Sequence, residues 1–405
     1  LGRISYSWYL WHWPVLLLMP ALLGEPAGLP ARLSATAVSA GLAVITLHLV
    51  ENPGRFAAAL RRSAIVSLAV AGGASAATAC ACMLLLNVIP TPVGHGVAAP
   101  RANIVAAPPA SSAALSPQEA AARQAFDQAR AILAAAAGLR AAPSNLDPPL
   151  AKAPADKAAV FVNGCVRSWR DVGQSECATG DTASPTTLAL IGDSHAAMWN
   201  PAFEQLAEQR HWRLETLAKV TCPLQDLRIV SPYLGREYTE CEQWRAQIMA
   251  RMSAEHPRLV VLDMSRRYGG DFGFTSYDPA WIDTLGRTVA QLRGTGATVL
   301  VLGPAADPHS SAPTCLSAHL DDATACAPTR SAAVNDDGIA AERAATTGNG
   351  GHYADLTDLF CSPDRCPLIV GNTLVFRDDN HVTTEYARLL APVMGALVAG
   401  GGLKM

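Results

Sequence analysis

Residues 188–195 read Leu-Ala-Leu-Ile-Gly-Asp-Ser-His, an apolar strand that runs through Gly192 and Asp193 into Ser194 just before a helical pattern. A serine hydroxyl is a poor nucleophile until a base takes its proton, and a histidine does so best when a carboxylate holds its other ring nitrogen. Residues 376–381 read Phe-Arg-Asp-Asp-Asn-His, and Asp378 stands three residues before His381, close enough for one loop to present both side chains. Taken singly, each motif also reads as helix capping, because Asp and Ser are common caps and the acidic turn precedes Thr383 and Thr384. Their joint occurrence at the two ends of one region, in the order Ser194, Asp378, His381, favours nucleophilic catalysis.

These side chains need a frame that brings distant segments together. Beyond residue 158, short apolar runs at residues 188–191, 214–217, 259–262 and 299–302 read as buried strands. Helical patterns at residues 196–208, 242–252 and 280–292 alternate with them, and a last one covers residues 383–398. This alternation implies a parallel sheet with helices on both faces. Ser194 then lies where a strand ends and a helix begins, the ligand edge of open α/β sheets, where free N–H groups favour developing negative charge. The Ser194 backbone N–H is the expected oxyanion donor, with Gly192 and Asp193 beside it. Arg266 and Arg267 are further candidates for oxyanion or substrate contact, although an arginine at a strand end is as often an ion-pair partner. His195 reads as structural.

Eight of the ten cysteines fall in this region, in consecutive close pairs at 165 and 177, 222 and 241, 315 and 326, and 361 and 366, which implies an oxidising compartment. Bridges between nearest neighbours are the economical connectivity. Zinc is the rival reading, disfavoured because no pair has C-x-x-C spacing, and no metal constellation is visible.

Composition points to a second environment. Of 405 residues, 50% are hydrophobic and 16% charged, against about 25% charged in globular proteins, which argues against a purely cytosolic enzyme. The net charge of −3 and scattered Lys and Arg provide no basic stripe for a nucleic acid. Residues 6–23, 33–50 and 63–89 are apolar stretches, each near the ~20 residues that cross a bilayer, so three spanning helices are expected. Arg55, Arg61 and Arg62 mark a cytoplasmic loop, and everything after residue 89 then emerges outside. Cys80 and Cys82 read as packing residues in the third stretch. The chain opens on Leu1 in an aromatic-apolar run and reads as truncated upstream. Residues 91–157 are rich in Ala and Pro and read as a tether interrupted by one helix, which starts at Ser116-Pro117-Gln118-Glu119 and runs to about Leu139. Whether that helix packs on the outer domain stays open.

Gly192-Asp193-Ser194 and Asp378-x-x-His381 resemble the first and last blocks of the SGNH, or GDSL-like, hydrolase superfamily. That resemblance implies an SGNH-hydrolase-like domain over residues 158–405, a flavodoxin-like three-layer α/β/α fold. It makes Ser194 the nucleophile, His381 the base and Asp378 its orienter. Residues 2–14, Gly-Arg-Ile-Ser-Tyr-Ser-Trp-Tyr-Leu-Trp-His-Trp-Pro, and the run Glu51-Asn52-Pro53-Gly54-Arg55 resemble the late membrane helices of the acyltransferase 3 family. The whole chain resembles the C-terminal part of fused acyltransferase 3 and SGNH proteins that O-acetylate bacterial surface glycans.

On that resemblance, residues 1–90 are three C-terminal transmembrane helices of an incomplete membrane α-helical acyltransferase 3 domain, and residues 91–157 form a periplasmic linker. It also implies acetyl-CoA as cytosolic donor for the full-length protein, with no permanently bound cofactor. The implied partners are a bacterial surface glycan, the lipid bilayer and the absent N-terminal membrane helices, and the implied location is the inner membrane with the C-terminal domain in the periplasm. One departure concerns the superfamily's oxyanion glycine and asparagine: Leu262 is followed by Asp-Met-Ser-Arg-Arg-Tyr and Leu302 by Gly-Pro-Ala-Ala-Asp. Two rival readings stand beside the O-acetyltransferase: a periplasmic carbohydrate esterase, and a non-catalytic glycan-binding module beside the membrane acyltransferase.

Overall fold

The computed structural model describes residues 2, 4–23, 28–105 and 117–400. The chain divides into two compact units, Leu1–Pro90 and Thr91–Met405.

In the first unit, helix α1 (Ser5–Leu23) packs on α2 (Leu29–Thr46), which continues as a π-helical turn, Leu47–Glu51. Polar side chains join them: the Trp8 indole donates to Ser39 at 2.9 Å, that of Trp11 to Thr46 at 2.8 Å, and the Ser7 hydroxyl to Glu51 at 2.8 Å. Such bonds matter most where water cannot compete for the groups. Helix α3 (Ala64–Val88) buries none of its side chains, and Cys80 and Cys82 stand exposed on it rather than packed. Two helical runs among the described residues, Leu29–Arg62 and Ala64–Val88, are long and apolar enough to cross a bilayer, against the three expected.

The second unit is built on one sheet. Among the described residues, its strands are β1 (Val166–Arg167), β2 (Ala178–Gly180), β3 (Thr187–Gly192), β4 (Arg213–Lys219), β5 (Leu259–Asp263), β6 (Thr298–Leu302) and β7 (His352–Ala354). The order is β1-β4-β3-β5-β6-β7, all neighbours parallel, with β2 antiparallel on β4. From β4 to β7 this is the flavodoxin-like order, and the direction of winding reverses between β3 and β5. The four apolar runs marked in the sequence are β3 to β6. They are buried on both faces because alternate side chains enter different layers.

Leu188 and Leu190 join a core with α6 (Asn200–Arg210) and α11 (Ala391–Gly400). Ala189 and Ile191 face α7 (Thr239–Glu255) and α8 (Pro279–Gly294), whose Trp244, Ile248, Trp281 and Leu285 are fully buried. Four further helices matter for the site: α4 (Pro117–Ala136), α5 (Ser194–Met198) and, late in the chain, α9 (Asp336–Gly348) and α10 (Thr384–Leu389).

Residues 91–105 and 117–157, expected to belong to a tether, are instead part of this unit. Ile104, Ala125, Ala129, Leu133, Ala136 and Leu150 lie in the same core as Leu188 and Phe203. Helix α4 places Ala125, Ala129, Leu133 and Ala136 on one face by its three- and four-residue spacing. Polar ties follow: Arg130 bonds Asp358 at 2.6 Å, Asp147 N–H reaches Asn372 O at 2.7 Å, and Asp156 accepts the Thr384 N–H at 2.7 Å, at the start of α10. Small alanines bury little area each, so the composition concealed a packed face. The expected Ser116 cap lies outside the described residues.

Disulfides join Cys165 to Cys177, Cys222 to Cys241, Cys315 to Cys326 and Cys361 to Cys366, the nearest-neighbour connectivity. Cys315, His319 and Cys326 are close enough together to suggest a metal site, but the disulfide consumes the two thiolates that such a site requires.

Candidate active site

Strand β3 ends at Gly192, which pairs in register with Asp263 of β5. A β-carbon at Gly192 would collide with the Asp263 carbonyl oxygen, so the position needs glycine for close strand approach. Asp193 follows as the N-cap of α5 and is fully buried. One carboxylate oxygen accepts the His195 N–H at 2.8 Å; the other accepts the Ser265 N–H at 2.9 Å and the Tyr268 hydroxyl at 2.6 Å. Burial pushes the Asp193 carboxyl up against the opposing pull of these bonds. Gly192 and Asp193 were expected at the oxyanion or substrate. One has no side chain to offer and the other only acceptors, already engaged, so both instead hold the turn that carries Ser194.

Ser194 is the first residue of α5, at the carboxyl edge of β3 and beside the reversal point of the sheet. Its backbone N–H has no acceptor among the described residues. Its Oγ lies 2.8 Å from His381 Nε2, and His381 Nδ1 lies 2.9 Å from Asp378 Oδ2. The other Asp378 oxygen accepts the backbone N–H groups of Asn380 at 3.0 Å and His381 at 2.7 Å. Asp378 thus caps its own turn and holds the imidazole at once. Burial alone would raise its carboxyl, but the His381 bond and charge and the two N–H donors outweigh this and hold it well below the usual carboxylate range.

The loop is anchored at both ends. Phe376 bridges Val382, Arg377 N–H reaches His381 O at 2.9 Å, and Thr383 caps α10 through the Tyr386 N–H. Capping at Thr383 and the Asp378–His381 pairing, which the sequence presented as alternatives, therefore coexist. Phe161 packs edge-on to the His381 ring at 6.0 Å, and the buried Arg377 guanidinium lies 4.7 Å from the Phe161 centroid. Neither contact carries a sequence signal, since both depend on which loops the sheet edge brings together.

Arg266 is corrected from substrate contact to core ion pair. Its side chain is buried with Asp263, bonded at 2.6 Å, with Glu342 at 3.1 Å, and with the Leu302 carbonyl at 2.8 Å. Glu342 also accepts the Trp281 indole at 2.7 Å and the Tyr353 hydroxyl at 3.0 Å, so the guanidinium closes a buried network between β5, β6 and α9. Arg267 is likewise engaged, by Asp307 and by Asp379, the latter at 2.6 Å. It ties together the loops after β6 and before α10, and its donors are committed to carboxylates rather than to an oxyanion.

A cavity of about 770 Å³ opens beside this group, bordered by His195, Arg267, Asp307, Asp337 and Asn380. His195 is buried, its ring centroid 5.3 Å from that of His381, and its Nε2 has no hydrogen-bond partner among the described residues. Burial foremost, and then the charges of His381, Arg266 and Arg267, push its pKa well below the ordinary histidine value. The structural reading of His195 accounts for its backbone bond to Asp193 and leaves this ring nitrogen unexplained.

Comparison with known proteins bears on the same residues. No curated protein matches this chain. Among solved structures, the periplasmic domain of a lipopolysaccharide acetyltransferase from Salmonella ser. Paratyphi A is similar at 17% sequence identity and a TM-score of 0.43, over 60% of this chain and 88% of that one. The family model described as "SGNH domain (fused to AT3 domains)" matches residues 164–396, which is more than half of the chain and includes Ser194, Asp378 and His381. The chain belongs to the family of SGNH domains fused to AT3 domains.

Proposed function

We propose that the unit from Thr91 onward is an O-acyltransferase that places an acyl group, acetyl by the family reading, on a hydroxyl of a bacterial cell-surface polysaccharide. The observation that carries this reading is the hydrogen-bonded line from Asp378 through His381 to Ser194, at 2.9 and 2.8 Å, at the ligand edge of the sheet. Membership in a family whose SGNH domains are fused to AT3 domains supports acyl transfer, and the disulfides support an extracytoplasmic location.

In the first half-reaction, Ser194 Oγ attacks the acyl carbonyl while His381 Nε2 takes the hydroxyl proton and passes it to the departing donor group. Asp378 holds the imidazole and stabilises the imidazolium. The Ser194 N–H, unengaged at the start of α5, faces the charge that develops on the acyl oxygen. In the second half-reaction a sugar hydroxyl gives its proton to His381 and attacks the acyl-serine ester; the Ser194 oxygen departs and recovers the proton. Water at the same place would produce an esterase, so transfer requires that the acceptor, and not water, occupies the site. In the full-length protein acetyl-CoA is the cytosolic source, its acyl group crossing the membrane through the AT3 domain.

Ser194→Ala in the full-length protein tests the reading. Surface acetylation is expected to disappear; acetylation at the parental level would leave the domain a binding or scaffolding role.

A further inference from the structure

The cavity beside the reacting pair has a chemical character of its own. It is bordered by His195 and Asn380, the immediate chain neighbours of Ser194 and His381. Among the described residues its carboxylates Asp336 and Asp337 have no ion-pair partner, while Asp307 is paired with Arg267. Arg266 is taken by Asp263 and Glu342, and Arg267 by Asp307 and Asp379. A polyphosphate such as the CoA moiety would set its charges against these carboxylates, so the residues here do not fit a CoA-bound donor.

His195 supplies the complementary observation. Its ring is nine-tenths buried at the cavity wall, and its Nε2 is unpartnered among the described residues, an unfavourable state unless a ligand or water satisfies the atom. Burial foremost holds the ring's pKa well below the ordinary histidine value, and in a neutral imidazole one nitrogen donates while the other accepts. A hydroxyl group, itself donor and acceptor, can meet Nε2 in either tautomer, whereas a carboxylate or phosphate can meet it only as an N–H donor and would lie against the acidic lining.

We propose that this cavity holds an uncharged, polyhydroxylated sugar ring of the acyl acceptor, and that His195 Nε2 hydrogen-bonds one of its hydroxyls, which makes His195 a determinant of acceptor specificity. The inference rests on the reading of Ser194 as acyl carrier, because it makes the neighbouring cavity the acceptor side.

The test uses the full chain in detergent and two independent readouts. Binding is followed by saturation-transfer NMR on the Ser194→Ala protein, with a panel of neutral methyl hexosides and 6-deoxyhexosides and with methyl glucuronide as the anionic probe. Acylation of the unsubstituted chain is followed by the nitrophenolate burst from p-nitrophenyl acetate. Saturable binding of a neutral glycoside is expected, with the glucuronide and the added His195→Ala substitution each weakening it by about tenfold. His195→Asn, which keeps a hydrogen-bonding side chain, is expected to recover part of the loss, and a thermal melt shows that each variant is folded. A burst without saturable neutral-sugar binding, equal binding of the glucuronide, or binding unmoved in both folded His195 variants would overturn the inference while leaving the acyl-serine intact. Sugar binding without a burst would uphold the cavity assignment and sink the covalent reading instead.

Discussion

His381 Nε2 stands 2.8 Å from Ser194 Oγ across 187 positions of sequence, whereas its other ring nitrogen meets a carboxylate only three residues away. Half of the hydrogen-bonded line is therefore a property of one loop. The other half exists because β3 delivers Ser194 to the sheet edge and the loop before α10 is anchored above it.

Asp378→Asn keeps the shape of the turn but loses the charge that stabilises an imidazolium. Acyl transfer is expected to fall by about 10³- to 10⁴-fold, read as turnover at saturating acceptor. The same carboxyl is held below its ordinary range, so its contribution to stability is present above the unfolded value of about 3.9 and is lost as pH falls through the lower folded one. Acid unfolding of the Asn variant should accordingly lack part of the wild-type decline below about pH 4. Superimposable acid curves would mean that Asp378 is not stabilised as an anion.

Gly192→Ala drives a methyl group into the Asp263 carbonyl between two central strands. A loss of about 1–3 kcal/mol is expected, measured by denaturant unfolding, together with weaker nitrophenolate release as Ser194 is displaced. Unchanged stability would show that the strands part more readily than their register suggests.

Arg266→Ala leaves Asp263 and Glu342 buried without their shared cation. The expected cost is about 3–5 kcal/mol in unfolding free energy, typical of one partner removed from a buried ion pair. An oxyanion role predicts the opposite pattern, a fall in turnover with an unmoved melting temperature.

Truncation separates a tether from a structural segment. A chain starting at Thr91 should fold, whereas one starting at Ala158 would expose the core surface covered by Leu133 and Leu150 and lose the Asp156 cap of α10. Aggregation or a lower melting temperature is expected for the shorter form alone; equal melting temperatures would restore the tether reading.

Cys222 and Cys241 are fully buried where the chain beyond β4 meets α7. Replacing both with Ala should cost about 2–5 kcal/mol, seen as a reductant-insensitive drop in thermal stability. A loss that appears in the wild type only after reduction confirms that the bridge, and not the packing of the sulfur atoms, is responsible.

The α/β frame was legible because its strands are continuous apolar runs and its helices are periodic, both local properties of the chain. Ser194, Asp378 and His381 were legible for a related reason: their neighbours, Gly192 and the Asp378 turn, must satisfy local backbone demands that leave a recognisable pattern. Arg266 and Arg267 were misplaced, since two adjacent arginines after a strand look alike until their distant carboxylates, Asp263, Glu342, Asp307 and Asp379, are known. Residues 117–157 misled through composition, because alanine spacing on α4 signals a buried face only once a partner surface exists.

By itself, then, the sequence determined the class of fold and marked Ser194, Asp378 and His381 as candidates, both of which depend on short-range spacing, while for the cysteines it offered only the economical pairing. Tertiary structure alone decided the Ser194–His381 contact, the commitment of the arginines, the docking of residues 117–157 and the unpartnered nitrogen of His195. Those outcomes turn on which side chains meet across the sheet edge, and contacts between residues far apart in the chain are set by packing of the whole unit rather than by any local run.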